Sequence, residues 1–212
     1  MEQTYDATSY GYLRRACTRL ADGTKEALFY AAFELRCGIE AKLQEHLDVL
    51  EDLAKHKRKG WKIRQAGHEI EKAFATGHKV LEYRVVGEGE RFSFSLFYTP
   101  VTPSTQKAAE RLGELLHAMT ISRSNEDLWW NRTRSFLIET ANALADVNRG
   151  TLSGPILQSP LHEGSLHFFL VEGSPIADLV QQHLTKGRAL RIENRVWDRI
   201  PEHAEPFLNP IK

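Results

Sequence analysis

The 212-residue chain lacks the features that mark several classes of protein. Its two cysteines, Cys17 and Cys37, cannot form a disulfide framework, and there is no Cys-x-x-Cys pair for zinc. The longest apolar run, residues 27–33, is far shorter than a membrane span. The 28 basic and 28 acidic residues leave no net charge, which argues against a protein that coats nucleic acid with its whole surface.

Sequence motifs for nucleotide cofactors and for export are also missing. There is no Gly-rich phosphate loop and no nucleophile elbow. The first four residues do not have the basic and apolar regions of a signal peptide. The hydrophobic content of 42% is ordinary for a globular protein. We therefore expect a cytoplasmic protein with no metal, no cofactor and no membrane partner.

Apolar residues recur at helical spacing in several segments, which predicts a mainly α fold. The strongest stripe runs from Leu28 to Ala54 and predicts one long helix that begins near Asp22–Thr24 and ends at Lys59. Further helices are predicted at 7–20, 61–74, 103–119 and 124–148. These segments suit an up-and-down helical bundle formed by residues 1–150.

Two other regions contain segments with the sequence pattern of β-strands. Apolar and polar residues alternate in 79–86 and in 91–98, on either side of the turn 87–90. This pattern predicts a β-hairpin inserted at about 79–98. The Pro-rich residues 151–212 contain strand-like segments at 165–171 and 188–192 and a short helix at 176–184. They predict a small β-rich C-terminal appendage that packs on the bundle and shares a sheet with the hairpin.

A charged pair interrupts the apolar stripe of the long helix. Arg36 falls inside the stripe, and Glu40 follows one turn later at its edge. A buried guanidinium is costly without a partner, so we expect a largely buried Arg36 bonded to Glu40 or to another carboxylate. The pair is either a fixed link between helices or part of a polar site in the bundle.

Arg111 and His117 form a second candidate pair. Histidine moves protons near neutral pH, and arginine stabilises the charge on a pentavalent phosphorus. No metal is needed if RNA supplies its own 2′-hydroxyl as the nucleophile. On an ideal helix the two side chains point roughly 120° apart, so the alternative is a solvated histidine without a catalytic role.

A basic run with one aromatic residue is the third feature. The candidates for nucleic-acid binding are Lys57, Arg58, Lys59, Trp61 and Arg64. Cations can bind the phosphate backbone while an aromatic ring stacks on a base. The alternative is a solvated charge run at a helix C-terminus, where cations are favourable in any case.

Two segments resemble bacterial HEPN-type proteins, whose early helix carries an "ELR…IE" pattern and whose late helix carries an "LH" segment. Residues 27–40, with Glu34-Leu35-Arg36 and Ile39-Glu40, are similar to the former, and residues 112–118 are similar to the latter. Arg111 completes the Arg-x(4–6)-His pattern of the family.

The resemblance implies a helical bundle that is usually dimeric. It also implies a metal-independent endoribonuclease of a toxin–antitoxin or phage-defence system, in which Arg111 and His117 are catalytic and Arg36 and Glu40 support the site. RNA, a second copy of the chain and a protein encoded nearby are the implied partners. Other members of the family have lost activity, so the alternative is a non-catalytic interaction or regulatory protein.

Overall fold

The computed structural model describes residues 5–48, 62–90, 93–117, 122–155 and 175–204. Within these residues the chain forms six helices and three strands. The helices are α1 (Ser9–Asp22), α2 (Lys25–Asp48), α3 (Ile63–Phe74), α4 (Pro103–Leu115), α5 (Leu128–Asn148) and α6 (Pro175–Thr185), and the strands are β1 (Val80–Gly87), β2 (Ser93–Tyr98) and β3 (Leu190–Trp197). The prediction of a mainly α fold with a β-hairpin is confirmed.

Side-chain caps fix the starts of α1 and α4. The Thr8 hydroxyl accepts from the Gly11 N–H of α1 at 3.1 Å, and the Thr102 hydroxyl accepts from the Thr105 N–H of α4 at 3.3 Å. These oxygens satisfy amide groups that have no partner inside the helix. Gly23 separates α1 from α2 with a φ of 78°, which glycine adopts without steric cost.

Helix α2 is the centre of the bundle and packs against α1, α3, α4 and α5. Its apolar stripe is buried from Leu28 to Leu43, with Leu35 and Ile39 inaccessible to solvent. Burying one such side chain contributes roughly 1.5–3 kcal/mol, so this stripe accounts for a large share of the core. The predicted continuation of α2 to Lys59 lies outside the described residues.

The three strands form one antiparallel sheet in the order β2-β1-β3. Within it, Tyr83 of β1 lies opposite Leu96 of β2 and Asn194 of β3. A short 3₁₀ turn at Glu88–Glu90 connects the hairpin strands. The expectation that the C-terminal region shares a sheet with the hairpin is therefore confirmed. The strand predicted at 165–171 falls outside the described residues.

A buried carboxylate joins the sheet to the turn that follows it. The Glu82 carboxylate accepts hydrogen bonds from the Ser95 hydroxyl at 2.6 Å, the Trp197 indole at 2.8 Å and the His203 ring at 3.2 Å. Burial alone raises the pKa of a carboxyl group, but these three donors outweigh it and hold the pKa of Glu82 below its usual value. The network anchors residues 198–204 on β1.

Candidate functional site

A groove with a volume of about 460 Å³ lies where α2, the start of α3 and the end of α4 meet. Most of its lining side chains are polar or charged. They are Arg36, Lys62, Ile63, Arg64, Glu110, Gly113, Glu114 and His117. The groove thus brings together three residues that the sequence singled out, namely Arg36, Arg64 and His117.

Arg36 lies across a glycine of the neighbouring helix. A β-carbon at Gly113 would overlap the Arg36 Nη1 atom and come within 3.1 Å of its Cζ atom. The Arg36 Nε–H donates to Glu40 Oε1 at 3.0 Å, and no described residue makes a hydrogen bond with its Nη atoms. Within the described residues, these terminal groups are therefore not committed to another hydrogen bond.

The predicted bond between Arg36 and Glu40 is confirmed, and the Arg36 side chain is mostly buried, as predicted, although solvent still reaches it. Its side chain is 34% exposed, because α4 presents Gly113 to α2 and leaves the guanidinium at the edge of the bundle. An i,i+4 pair that keeps this much contact with solvent contributes only about 0.3–0.5 kcal/mol. Arg36 is thus poorly explained as a stabilising core ion pair.

His117 is exposed and lies just beyond the end of α4. The last turn tightens, with the Leu116 N–H donating to the Gly113 carbonyl at 3.2 Å, and the helix ends at Leu115. The prediction that the helix runs past His117 is therefore wrong. Since His117 has left the helix, the angle calculated for an ideal helix does not apply to it.

Arg111 faces another part of the molecule. Its Cζ atom lies 4.0 Å from the centroid of the Phe136 ring on α5, a cation–π contact, and Arg111 does not line the groove. Within one chain, Arg36 and His117 share the groove, whereas Arg111 and His117 do not meet there. The two residues of the Arg-x(4–6)-His pattern are separated in the monomer.

Two cations and two carboxylates complete the groove. Arg64 on α3 donates to Glu110 on α4 at 2.8 Å, and the Arg64 side chain is 76% exposed. Ion pairs this exposed contribute little, so a phosphate group can compete for Arg64. Lys62 and Glu114 are both exposed. The remaining residues of the predicted basic cluster, Lys57, Arg58, Lys59 and Trp61, lie outside the described residues.

A second cavity of about 300 Å³ adjoins the groove and has His46 and Tyr98 in its wall. Both side chains are fully buried, and burial lowers the pKa of His46 to about 4, so the ring is neutral at pH 7. The sequence interpretation missed His46. Its signal was its position, since it follows Leu43 by three residues on the buried stripe of α2.

No group of three or more His, Cys, Asp or Glu residues within the described ranges could hold a metal ion. None of the helices that the structure describes is long and apolar enough to cross a membrane. Comparison with protein-family models, with curated proteins and with solved structures finds no match to this chain.

Proposed function

We propose that the groove binds single-stranded RNA and that this chain is a metal-independent endoribonuclease of HEPN type. The observation that supports this most directly is the shared groove of Arg36 and His117. An exposed imidazole, a guanidinium whose Nη atoms make no hydrogen bond with the described residues, and two further cations line one open surface. This combination suits a phosphodiester whose own 2′-hydroxyl is the nucleophile.

The reaction is a transesterification within the RNA strand. The 2′-oxygen forms a bond to the adjacent phosphorus, and the bond to the 5′-oxygen of the next nucleotide breaks. His117 moves one proton, either from the attacking hydroxyl or to the leaving oxygen, and water carries the other transfer, so that the proton lost by the 2′-hydroxyl is balanced by the proton gained by the 5′-oxygen. Arg36 stabilises the negative charge on the phosphorane through its Nη groups. The products are a 2′,3′-cyclic phosphate and a 5′-hydroxyl.

Arg111 enters this scheme only through a second copy of the chain. In a two-fold homodimer, Arg111 of each copy is offered to the groove of the other, which restores the Arg-x(4–6)-His pair between protomers. On this reading, Arg111→Ala lowers cleavage only under conditions where the dimer forms. A cytoplasmic role in a toxin or phage-defence system, with a restraining protein encoded nearby, fits such an enzyme.

Incubation of the purified chain with end-labelled RNA in the presence of a chelator tests the proposal. We expect cleavage with cyclic phosphate ends, and we expect its loss in His117→Ala and Arg36→Ala. Arg36→Lys does not restore full activity, because an ammonium lacks the planar fork of a guanidinium. RNA that stays intact at high protein concentration contradicts the proposal.

A non-catalytic interaction module is the second candidate. Two observations favour it: Phe136 holds Arg111 away from the groove, and the carboxylates of Glu110 and Glu114 oppose the approach of phosphate. Expression in a host separates the two candidates. A ribonuclease slows growth and His117→Ala relieves the effect, whereas a binding module leaves growth unchanged.

A further inference from the structure

We infer that the outer face of α1 and α2 is a dimer interface, in which the exposed Phe33 of each copy enters a recess on the other copy. The two chains are related by a two-fold axis that passes close to Cys37. This inference goes beyond the proposed function, because it concerns a different face of α2 and holds whether or not the groove cleaves RNA.

Helix α2 has a continuous stripe of solvent-accessible residues on the side that faces away from the core. Successive residues of an α-helix are rotated by about 100°, and the residues within one sector of about 80° are all exposed or partly exposed. They are Glu26, Tyr30, Phe33, Cys37, Ala41, Gln44 and Asp48. The large aromatic side chains of Tyr30 and Phe33 are 61% and 50% exposed. Neighbouring exposed aromatic residues of this kind mark an interaction surface.

A recess of about 550 Å³ lies in the seam between the start of α1 and the second half of α2. Tyr12, Cys37 and Ala41 contribute to its walls, and the acidic residues Glu45 and Asp48 also line it. Its volume is within the range of pockets that hold whole small molecules, so it can admit an aromatic side chain. The same face therefore carries both a projecting ring and a space for one.

The positions of Phe33 and the recess are related by symmetry about Cys37. Arg15 of α1 pairs with Glu34 at 2.9 Å, so α1 lies on the Glu34 side of α2. Phe33 is rotated by about 100° from Glu34 and precedes Cys37, whereas the recess lies on the α1 side and extends beyond Cys37. A two-fold axis at Cys37 exchanges two positions that are opposite both along and across the helix. Phe33 of each copy thus meets the recess of the other, beside Ala41.

The charges of this face complement one another under the same symmetry. Residues 9–20 of α1 include three arginines and no acidic residue, whereas residues 38–48 of α2 include three acidic residues and one lysine. The two-fold axis brings α1 of each copy towards the acidic half of α2 in the other. Arg19 and Asp48 are both exposed, and neither forms an ion pair with another residue that the structure describes. Glu26 opposes the contact, but it lies at the outer end of the face, where water and salt screen like charges.

The size and the charge of the face favour a second copy over other occupants. The 24 residues of α2 extend about 36 Å, and α1 beside it brings the width to about 20 Å, which gives about 700 Å² per copy. A standard interface buries about 800 Å² per partner. The acidic half of α2 repels the phosphates of nucleic acid. Any other protein would have to supply both a ring and a basic helix, which this chain already has.

Analytical ultracentrifugation of the purified chain without RNA measures the association. We expect a dimer at about 100 µM, since a Kd in the low micromolar range gives mostly dimer at that concentration. Phe33→Asp removes the ring, and Ala41→Arg fills the recess while leaving Phe33 in place. Each is expected to raise Kd at least tenfold. Val196→Asp is the matched control and leaves Kd unchanged, because this side chain is 63% exposed on β3 and does not belong to the face.

The two cysteines locate the symmetry axis. Both thiols are free and partly exposed, and burial raises the pKa of both, so their intrinsic reactivities are similar. In Cys17→Ser the remaining Cys37 lies at the axis, and a short bis-maleimide is expected to join two copies. In Cys37→Ser the remaining Cys17 lies on α1, away from the axis, and no covalent dimer forms. Adding Phe33→Asp to Cys17→Ser removes the cross-link.

An exchange of charges tests the orientation of the two copies. Arg19→Glu and Asp48→Lys are each expected to weaken the dimer, and their combination is expected to recover part of the lost affinity. If the double variant is no tighter than the single variants, these ends do not meet and the two-fold arrangement is wrong. Thermal unfolding confirms that every variant in these experiments folds.

Two further results overturn the inference. One is a chain that stays monomeric at about 100 µM. The other is a dimer that persists in folded Phe33→Asp and Ala41→Arg and gives no cross-link through Cys37, which means that another surface forms it. None of these measurements uses RNA. A failure here therefore leaves the proposed function standing, and intact RNA in the cleavage assay leaves the interface standing.

Discussion

Replacing Gly113 with alanine is expected to lower cleavage without lowering stability. The new β-carbon would overlap the Arg36 Nη1 atom, and the guanidinium, as the end of a flexible side chain, swings out of the groove. The Arg36–Glu40 pair then loses about 0.3–0.5 kcal/mol, while alanine in a helix is favoured over glycine by about 1 kcal/mol. The free energy of unfolding therefore stays unchanged or rises by roughly 0.5 kcal/mol.

The effect on catalysis is much larger. Displacing a group that stabilises the transition state by an ångström or more costs on the order of 10²-fold in rate. Single-turnover cleavage at saturating RNA measures this rate, and urea unfolding measures stability on the same samples. Gly67→Ala is the matched control, since its β-carbon meets Gln106 and not a residue of the groove, and it is expected to leave the saturating rate unchanged.

Two results refute this reasoning about Gly113. Cleavage by Gly113→Ala at the wild-type rate means that the position of Arg36 has no part in the reaction. A loss of more than about 2 kcal/mol in unfolding free energy means that the helices, and not the side chain, move to make room for the β-carbon.

Three further predictions concern stability. Arg36→Ala lowers the unfolding free energy by less than about 1 kcal/mol in urea titration, because the pair with Glu40 keeps contact with solvent; a loss above about 3 kcal/mol points to a pair that solvent does not reach. Burial holds the pKa of His46 near 4 in the folded state, whereas its pKa in the unfolded state is 6.5. Between pH 4 and 6.5 the histidine is therefore protonated in the unfolded state and neutral in the folded state. Stability is full above pH 6.5 and falls by up to about 3 kcal/mol towards pH 4. His46→Gln removes this dependence, and a wild-type stability that is flat between pH 4 and 6.5 contradicts it. Glu82→Gln loses roughly 1.5–3 kcal/mol in thermal unfolding, because three donors lose a charged acceptor, while Glu193→Gln on the same sheet loses less than about 1 kcal/mol; equal losses contradict the special role of the Glu82 network.

Local patterns were sufficient for most of the fold. The apolar stripe from Leu28 predicted α2 because its period matches the helix, and Thr102 before Pro103 predicted the start of α4 because both residues have fixed roles at helix starts. The alternation on either side of residues 87–90 predicted the hairpin. These features depend on residues close together in the chain.

The sequence was less informative where the depth of burial or contacts between distant residues decide the structure. A helical wheel gives the face on which Arg36 lies, but its exposure depends on which residue of α4 packs there, and Gly113 is 77 positions away. The residues directly after Leu115 include no glycine or proline that would mark the end of α4 in the sequence. The second cavity combines His46, Tyr98 and the Ser153 carbonyl, which come from three distant segments.

The most direct test of the account compares the initial rates at which the wild-type chain and His117→Ala cleave one labelled RNA, with both proteins prepared identically and a chelator present. His117 is exposed, so its substitution leaves the core intact and a change in rate reports on chemistry. A histidine that moves a proton in the reaction contributes roughly 10²–10⁴-fold, and a loss of this size is the predicted result. Equal rates, or no cleavage by either protein, contradict the account.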